Sequence, residues 1–121
     1  MAGTKTWFIP DGYLPAQGPP GAYAGHDCVC LLNTMTQEAT VWLDIFFEDR
    51  DPVEGLEVRL PARRCLHLRM DRLEGFEMPR EVPYALRVRS NLPIVVQYSR
   101  LDVSQANMAF LSVMGFPQDE E

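Results

Sequence analysis

The chain has 121 residues, of which 46% are hydrophobic and 23% charged, a composition typical of a single globular domain. Its net charge of −6 disfavours non-specific binding to nucleic acid or to an anionic membrane, and no apolar run approaches the roughly 18 residues of a membrane helix. The N-terminus lacks the apolar core of a secretory signal, so we expect a cytoplasmic protein. The predicted domain spans residues 1–121, with 118–121 as a frayed acidic tail.

Short runs rich in β-branched and aromatic residues recur about every ten residues, separated by Gly, Pro, Asn and Asp. This pattern predicts an all-β fold of about eight strands, arranged as a β-sandwich or jelly roll. The predicted strands, in chain order, are Thr4–Ile9, His26–Asn33, Ala39–Glu48, Leu56–Leu60, Cys65–Met70, Tyr84–Ser90, a strand entered at Pro93, and Met108–Phe116.

Ile94–Val96 is apolar on both faces, which is typical of a strand in the middle of a sheet. Pro93 cannot donate a hydrogen bond to a neighbouring strand, so we place it at the entry, after a turn at Asn91–Leu92. We predict another turn at Pro10–Gly12, and a loop with one helical turn over residues 71–83.

The strand Ala39–Glu48 has the clearest two-residue period. One face carries Val41, Leu43, Ile45 and Phe47, and the other carries Trp42, Asp44, Phe46 and Glu48. Two large aromatic side chains on the second, nominally wet face predict that another subunit covers it.

The cysteines do not indicate a metal site or a disulfide. His26, Cys28 and Cys30 share one strand face, but same-face residues lie about 6.6 Å apart along a strand and cannot converge on one ion without a bend. An odd count of three cysteines predicts free thiols. No cofactor is indicated.

Two groups of polar residues are candidate binding sites. His67 and Arg69, beside Arg64, can bind an anion or a hydroxylated ligand, or simply form a solvated strand face. Gln97, Arg100 and Asp102 can recognise the hydroxyls of a sugar whose ring lies against Trp7 or Tyr13, or can pin a loop.

Catalysis and nucleic-acid binding are less well supported. The sequence has no Gly-rich phosphate loop, nucleophile elbow or zinc-protease helix, so we expect a non-enzymatic protein. The basic cluster of Arg63, Arg64, Arg69 and Arg72 suits DNA or another anion, but the overall acidity disfavours nucleic acid.

Several ordered motifs resemble the sensory rhodopsin transducer family over nearly the whole chain. The matching motifs are Trp7 with Gly12-Tyr13-Leu14-Pro15, His26 with Cys30-Leu31-Leu32-Asn33, Pro61-Ala62-Arg63-Arg64 with His67 and Arg69, Ser90-Asn91 with Pro93-Ile94-Val95-Val96-Gln97 and Arg100-Leu101-Asp102, then Asn107 and Ala109. Asp11 stands where the family often has Glu. The resemblance implies a β-sandwich subunit in a ring-like homotetramer that signals beside a sensory rhodopsin or binds a small molecule such as a sugar.

The leading hypothesis is therefore a homotetrameric, non-enzymatic protein that binds a small polar ligand and passes its occupancy to a partner. The alternative is an interaction module without its own ligand, which relays the state of a membrane photoreceptor or regulates transcription. The candidate ligand-binding residues are Trp7, Asp11, His26, Asn33, Arg64, His67, Asn91, Gln97, Arg100 and Asp102.

Overall fold

A computed structural model describes residues 2–118, and within that range the chain forms eight β-strands and one short 3-10 helix. The all-β prediction is confirmed. The elements are β1 (Thr4–Tyr13), β2 (His26–Asn33), β3 (Ala39–Phe47), β4 (Val53–Leu60), β5 (Arg64–Arg69), a 3-10 helix (Met70–Arg72), β6 (Pro83–Asp102), β7 (Ala109–Met114) and β8 (Phe116–Gln118).

The 20-residue strand β6 organises the antiparallel sheet. Its first half pairs with β1 and β3, while its second half pairs with β2 and β7. β4 extends the sheet beyond β3, β8 beyond β1, and β5 beyond β2. The prediction that the Ile94–Val96 run lies in a central strand is confirmed.

The predicted turn at Asn91–Leu92 is wrong, because β6 continues through it. Pairing with β3 ends at Ser90, and pairing with β2 begins at Val95. Pro93 lies in the interval where the strand passes from one set of neighbours to the other. A residue without an N–H is tolerated there, because a strand that changes partners interrupts its ladder.

The predicted turn at Pro10–Gly12 is also wrong. β1 continues to Tyr13, with a shift of register against β6 between Ile9 and Gly12. Such a bulge bends a strand without ending it. At the other end of the chain, Gly115 divides the predicted Met108–Phe116 strand into β7 and β8. Gln118 belongs to β8, and residues 119–121 of the predicted tail lie outside the described residues.

Both halves of the sheet contribute to one hydrophobic core. Side chains from the β2 half, such as Val29 and Leu31, pack in the same cluster as Leu43 and Val88 from the β3 half. Removing this apolar surface from water is the main driving force for the fold. The shared core holds the two halves together and positions the side chains described below.

Asp44 lies on the outer face of β3, as the alternation predicted, but it is fully buried. Its Oδ2 accepts hydrogen bonds from Arg87 Nε (2.8 Å) and Arg89 Nε (2.7 Å), and its Oδ1 accepts from Arg89 Nη2 and the Gly55 amide, both at 2.9 Å. Burial opposes ionisation, but these donors outweigh it and hold the pKa of Asp44 well below its usual range.

The same arginines cover the aromatic side chains of this face. The Arg89 guanidinium lies 5.7 Å from the centre of the Trp42 ring, and that of Arg87 lies 5.3 Å from the Phe46 ring. Both aromatics are half-buried. Cation–π stacking within the chain thus supplies part of the cover that we had expected from another subunit.

Candidate functional site

A groove between β1 and β7 brings Asp11 and Arg100 together. We call it the Arg100 groove, and its cavity volume is about 170 Å³. Its walls are largely apolar, and Arg100 is the basic side chain among the residues that line it: Ile9, Pro10, Asp11, Tyr98, Arg100, Leu111, Val113 and Met114. This combination of apolar walls and a few polar groups is common in small-molecule sites.

The Arg100 side chain is held in place from several sides. Its Nη2 donates to the Asp11 carbonyl oxygen (3.0 Å) and its Nε donates to Tyr98 Oη (3.3 Å). The guanidinium also lies 5.6 Å from the Tyr13 ring centre and 5.5 Å from that of Tyr98. The Asp11 carboxylate is 3.7 Å away and almost fully exposed, so it pairs only weakly with the charge. Arg100 is therefore a preorganised donor at the groove.

Below Arg100 lies a buried carboxyl that our sequence reasoning missed. Asp27 Oδ2 accepts hydrogen bonds from Tyr84 Oη (2.6 Å) and Tyr98 Oη (2.7 Å). Its Oδ1 has no hydrogen-bond partner among the described residues. Burial raises the pKa of Asp27, and burial together with the nearby carboxylate raises the pKa of Tyr98 to about 12. The alternation of β2 was the available signal, because it places Asp27 on the inward face with Val29 and Leu31.

The Asp27 cluster connects the groove to the rest of the fold. Tyr84 and Tyr98 lie in the two halves of β6, and both donate to the same carboxyl oxygen. Tyr98 Oη also accepts a hydrogen bond from the Tyr13 amide of β1, at 3.0 Å. Because these hydrogen bonds join three strands, a displacement of Arg100 or Tyr98 would disturb the packing of β1, β2 and β6 together.

A second hollow lies on the outer face of β2, β5 and β6. Cys30 stands opposite His67 on one side and Gln97 on the other. Together with Leu32, Cys65, Val95 and Met114 these residues line a cavity of about 170 Å³. Cys65 and His67 are exposed, as predicted, whereas Gln97 donates to Ser112 Oγ of β7. Since Gln97 and Arg100 have opposite parity on one strand, the two hollows open on opposite faces of the sheet.

Strand β7 forms one wall of the Arg100 groove and is exposed on both faces. Phe110, Val113 and Met114 are 69%, 48% and 57% exposed. No charged residue occurs between Val103 and Gln118. An exposed apolar segment of this length marks an interaction surface.

Comparison with known proteins agrees with the resemblance noted in the sequence. A family model described as Anabaena sensory rhodopsin transducer matches residues 2–117. The chain belongs to this family. We refer to it below as the transducer family. The family name indicates a signal-transduction module.

Two solved structures show the same fold at 36% sequence identity. A Thermotoga maritima protein, numbered 1070, matches with a TM-score of 0.90 over 100% of both chains. The Anabaena sensory rhodopsin transducer matches with a TM-score of 0.75 over 88% of this chain and 96% of its own. No curated protein sequence matches this chain. Within the described residues, no helix is long and apolar enough to cross a membrane.

Several motif residues of this transducer-family chain have structural contacts away from both hollows. Trp7 lies in the core and its Nε1 donates to the Ile94 carbonyl oxygen, so its ring does not stand beside Arg100, whereas Tyr13 does. Asn33 is buried, where its Nδ2 donates to the Leu60 carbonyl oxygen and its Oδ1 accepts from the Met35 amide.

The other predicted residues make local contacts. Asn91 Oδ1 accepts from the Thr40 amide, and Asp102 Oδ1 accepts from Ser104. His26 Nδ1 lies 2.9 Å from the Ala24 carbonyl oxygen, and exposed Arg64 donates to the Arg63 carbonyl. Arg69 pairs with Asp71 through two hydrogen bonds of 2.9 and 2.8 Å. The predicted set is thus divided, with Asp11 and Arg100 at one hollow and His67 and Gln97 at the other.

Proposed function

We propose that this chain is a non-enzymatic, homotetrameric signalling module that binds a small polar ligand in the Arg100 groove and passes its occupancy to a partner. The observation that carries the proposal is the Arg100 guanidinium, which its hydrogen bonds and aromatic contacts hold in place at the edge of a groove with apolar walls. The ligand class is a sugar or another polar metabolite with hydroxyl or carboxylate oxygens. A cytoplasmic location is part of the proposal.

The chemistry of the groove supports such a ligand. Among the described residues, Arg100 uses Nε and Nη2 for hydrogen bonds, which leaves Nη1 available to an incoming oxygen. The apolar side chains that line the groove, such as Leu111 and Val113, add a surface against which the carbon-bound hydrogens of a sugar ring can pack. The volume of about 170 Å³ is below the range of about 300–1,000 Å³ common for drug-sized ligands, so we expect a small one.

The exposed apolar side chains of β7 support the homotetramer in this proposal. A monomer would leave its apolar side chains in water on both faces of the strand, at a cost that burial against another subunit removes. A homotetramer built through this segment would also place β7, and therefore one wall of the Arg100 groove, at a subunit contact.

The alternative is an interaction module without a ligand, which relays the state of a membrane receptor. The observation that favours it is the structural match to the Anabaena sensory rhodopsin transducer, which is named as the transducer of a sensory rhodopsin. In this case Arg100 and Asp27 hold β1, β2 and β6 in place, and the exposed apolar segment contacts the receptor.

A thermal-shift screen against sugars and polar metabolites tests the proposal. A ligand at a hundred times its dissociation constant adds about 2.7 kcal/mol to the free energy of unfolding, which raises the melting temperature visibly. We expect Arg100→Gln to abolish the shift, while Arg64→Gln, at an exposed arginine whose contact is a neighbouring carbonyl, retains it.

A second variant distinguishes loss of ligand binding from a folding defect caused by Arg100→Gln. Leu111→Trp narrows the groove at a side chain that is 41% exposed and leaves the contacts of Arg100 intact. It should weaken the ligand-induced shift while the unliganded melting temperature stays near that of the wild type. No shift with any compound would favour the alternative.

A further inference from the structure

A third cavity opens between the edge strands β4 and β5. Among the described residues, β4 pairs only with β3 and β5 only with β2, so no ladder joins β4 to β5 on this side of the fold. We call the cavity the β4–β5 slot, and it is lined by residues 56–59 of β4, Leu68 of β5 and residues 72–74. Its volume of about 350 Å³ lies within the range of about 300–1,000 Å³ common for ligand sites.

The walls of the slot continue the hydrophobic core. Val58 stands opposite Val41 in the pairing of β4 with β3, and Leu68 stands opposite Val29 in the pairing of β5 with β2. Residues directly opposite one another share a sheet face, and both partners are fully buried. Val58 and Leu68 therefore point inward but are only half-buried. An apolar group that enters the slot removes their remaining surface from water.

The segment after β5 closes one end of the slot. Met70 anchors it in the core, where it is fully buried, and half-buried Leu73 packs against the same core. A Cβ added at Gly75 would lie 3.7 Å from Leu56 Cδ2, so the segment reaches across from β5 to β4. The residues between these contacts are thus held at the edge of the slot.

The charged residues at this edge are unequally paired. Arg59 Nε donates to Glu57 Oε2 (3.1 Å), and Arg59 Nη1 donates to Glu38 Oε1 (3.0 Å). Arg72 and Glu74 also line the slot and are exposed, and within residues 2–118 neither forms an ion pair within 4.0 Å. The slot therefore offers one guanidinium and one carboxylate whose charges are uncompensated, beside an apolar interior.

We infer that the β4–β5 slot binds a zwitterionic amino acid with a large apolar side chain, such as free L-phenylalanine. The ligand carboxylate pairs with Arg72, its ammonium group pairs with Glu74, and its side chain lies between β4 and β5. A zwitterion satisfies both charges and adds no net charge. A purely anionic ligand would instead approach a chain whose net charge is −6.

NMR spectra of the methyl groups in the full-length protein can follow binding at the slot itself. Titration with L-phenylalanine should shift the methyl signals of the four aliphatic side chains that line it: Leu56, Val58, Leu68 and Leu73. Two matched probes each lack one charged group, since phenylpropanoate has no ammonium and phenethylamine has no carboxylate. Each should bind about two- to fivefold more weakly than phenylalanine, the ratio expected for the loss of one solvent-exposed ion pair.

Charge-neutral variants assign each ligand group to its partner. Glu74→Gln should abolish the preference for phenylalanine over phenylpropanoate and keep the preference over phenethylamine. Arg72→Gln should do the reverse. Both residues are exposed, so neither variant should affect folding. The matched control is Arg50→Gln, at an exposed arginine outside the slot, which should retain both preferences.

A further variant tests the apolar part of the site. Val58→Phe enlarges a side chain that points into the slot and leaves both charges in place, so it should weaken binding of all three probes together. Its unliganded melting temperature shows whether the fold is retained. Equal wild-type affinities for phenylalanine and phenylpropanoate would overturn the proposal, as would preferences that survive both charge-neutral variants. Absence of methyl shifts at the slot would overturn it too, without bearing on the Arg100 groove, which shares no lining residue with the slot.

Discussion

Replacing Asp44 with alanine should destabilise the protein strongly, although the residue lies on a face that looks solvent-exposed from the sequence. The substitution removes the acceptor of three arginine N–H groups and of the Gly55 amide. Losing one partner of a fully buried ion pair costs about 3–5 kcal/mol. Arg87 and Arg89 are 33% and 40% exposed, so water replaces part of the loss. We expect a decrease of about 2–3 kcal/mol.

Urea denaturation at fixed protein concentration, followed by tryptophan fluorescence, measures this decrease. With a slope of about 2 kcal/mol/M, the midpoint should fall by about 1–1.5 M. The matched control is Asp49→Ala, because Asp49 pairs with Arg50 at 2.9 Å but is 69% exposed. Its midpoint should not change measurably. Equal midpoints for the two variants would refute the argument that burial gives the Asp44 interactions their strength.

The effect of Asp44 should also depend on pH. Its pKa is lowered in the folded state, because the arginine and amide donors outweigh the effect of burial. The stabilisation is therefore present above the unfolded pKa of about 3.9 and is lost as the pH falls through the folded value. The difference between wild type and Asp44→Ala should be full at pH 7 and shrink below about pH 4.

Three further predictions concern the Asp27 cluster, the contact between Gly12 and Tyr84, and the buried Asn33. Burial raises the pKa of Asp27, so the contribution of this residue to the free energy of unfolding is fully present below the unfolded pKa and is lost as the pH rises through the folded value. In urea titrations Asp27→Asn should therefore gain stability relative to wild type as the pH increases. Parallel plots of unfolding free energy against pH for the two proteins would contradict this. Gly12→Ala places a Cβ 2.5 Å from the Tyr84 ring and should lower the melting temperature, whereas Gly21→Ala, which meets nothing closer than 4.0 Å, should not. Asn33→Ala leaves buried backbone groups unpaired and should cost about 1–3 kcal/mol in denaturant unfolding, well above the effect of Asn91→Ala at an exposed position.

Periodicity was sufficient to predict most strands. His26–Asn33 matches β2 at both ends, and Ala39–Glu48 exceeds β3 by one residue. Alternation and β-branched composition reflect burial on a pleated sheet, which is a local property of the sequence. The central position of the Ile94–Val96 run was predictable for the same reason.

Proline and glycine were read too strictly as ends of strands. Pro93 and Gly12 both lie inside strands, at a change of neighbours and near a bulge, respectively. Whether such a residue ends a strand or bends it depends on where the partner strands begin and end. That information is tertiary and is not contained in the local sequence.

The candidate site was predicted only in part. Arg100 and Gln97 lie at hollows, but they occupy opposite faces of β6, as their spacing of three residues requires. Asp27 was missed because a carboxyl in an apolar strand can be buried only if donors meet it. Those donors, Tyr84 and Tyr98, are distant in the sequence.

Hydrogen exchange at β7 in the full-length protein tests most directly the central claim of the proposed assembly, that another subunit covers this exposed strand. The Gly115 amide donates to the Val96 carbonyl oxygen, and the direction of the backbone groups alternates along an antiparallel strand. The amides of Leu111 and Val113 therefore face β6 and should be protected in any state of assembly. The account predicts that the amides of Phe110, Ser112 and Met114 are comparably protected at high protein concentration and lose protection on dilution. Exchange of these three amides at unprotected rates at every concentration, while Leu111 and Val113 stay protected, would contradict it.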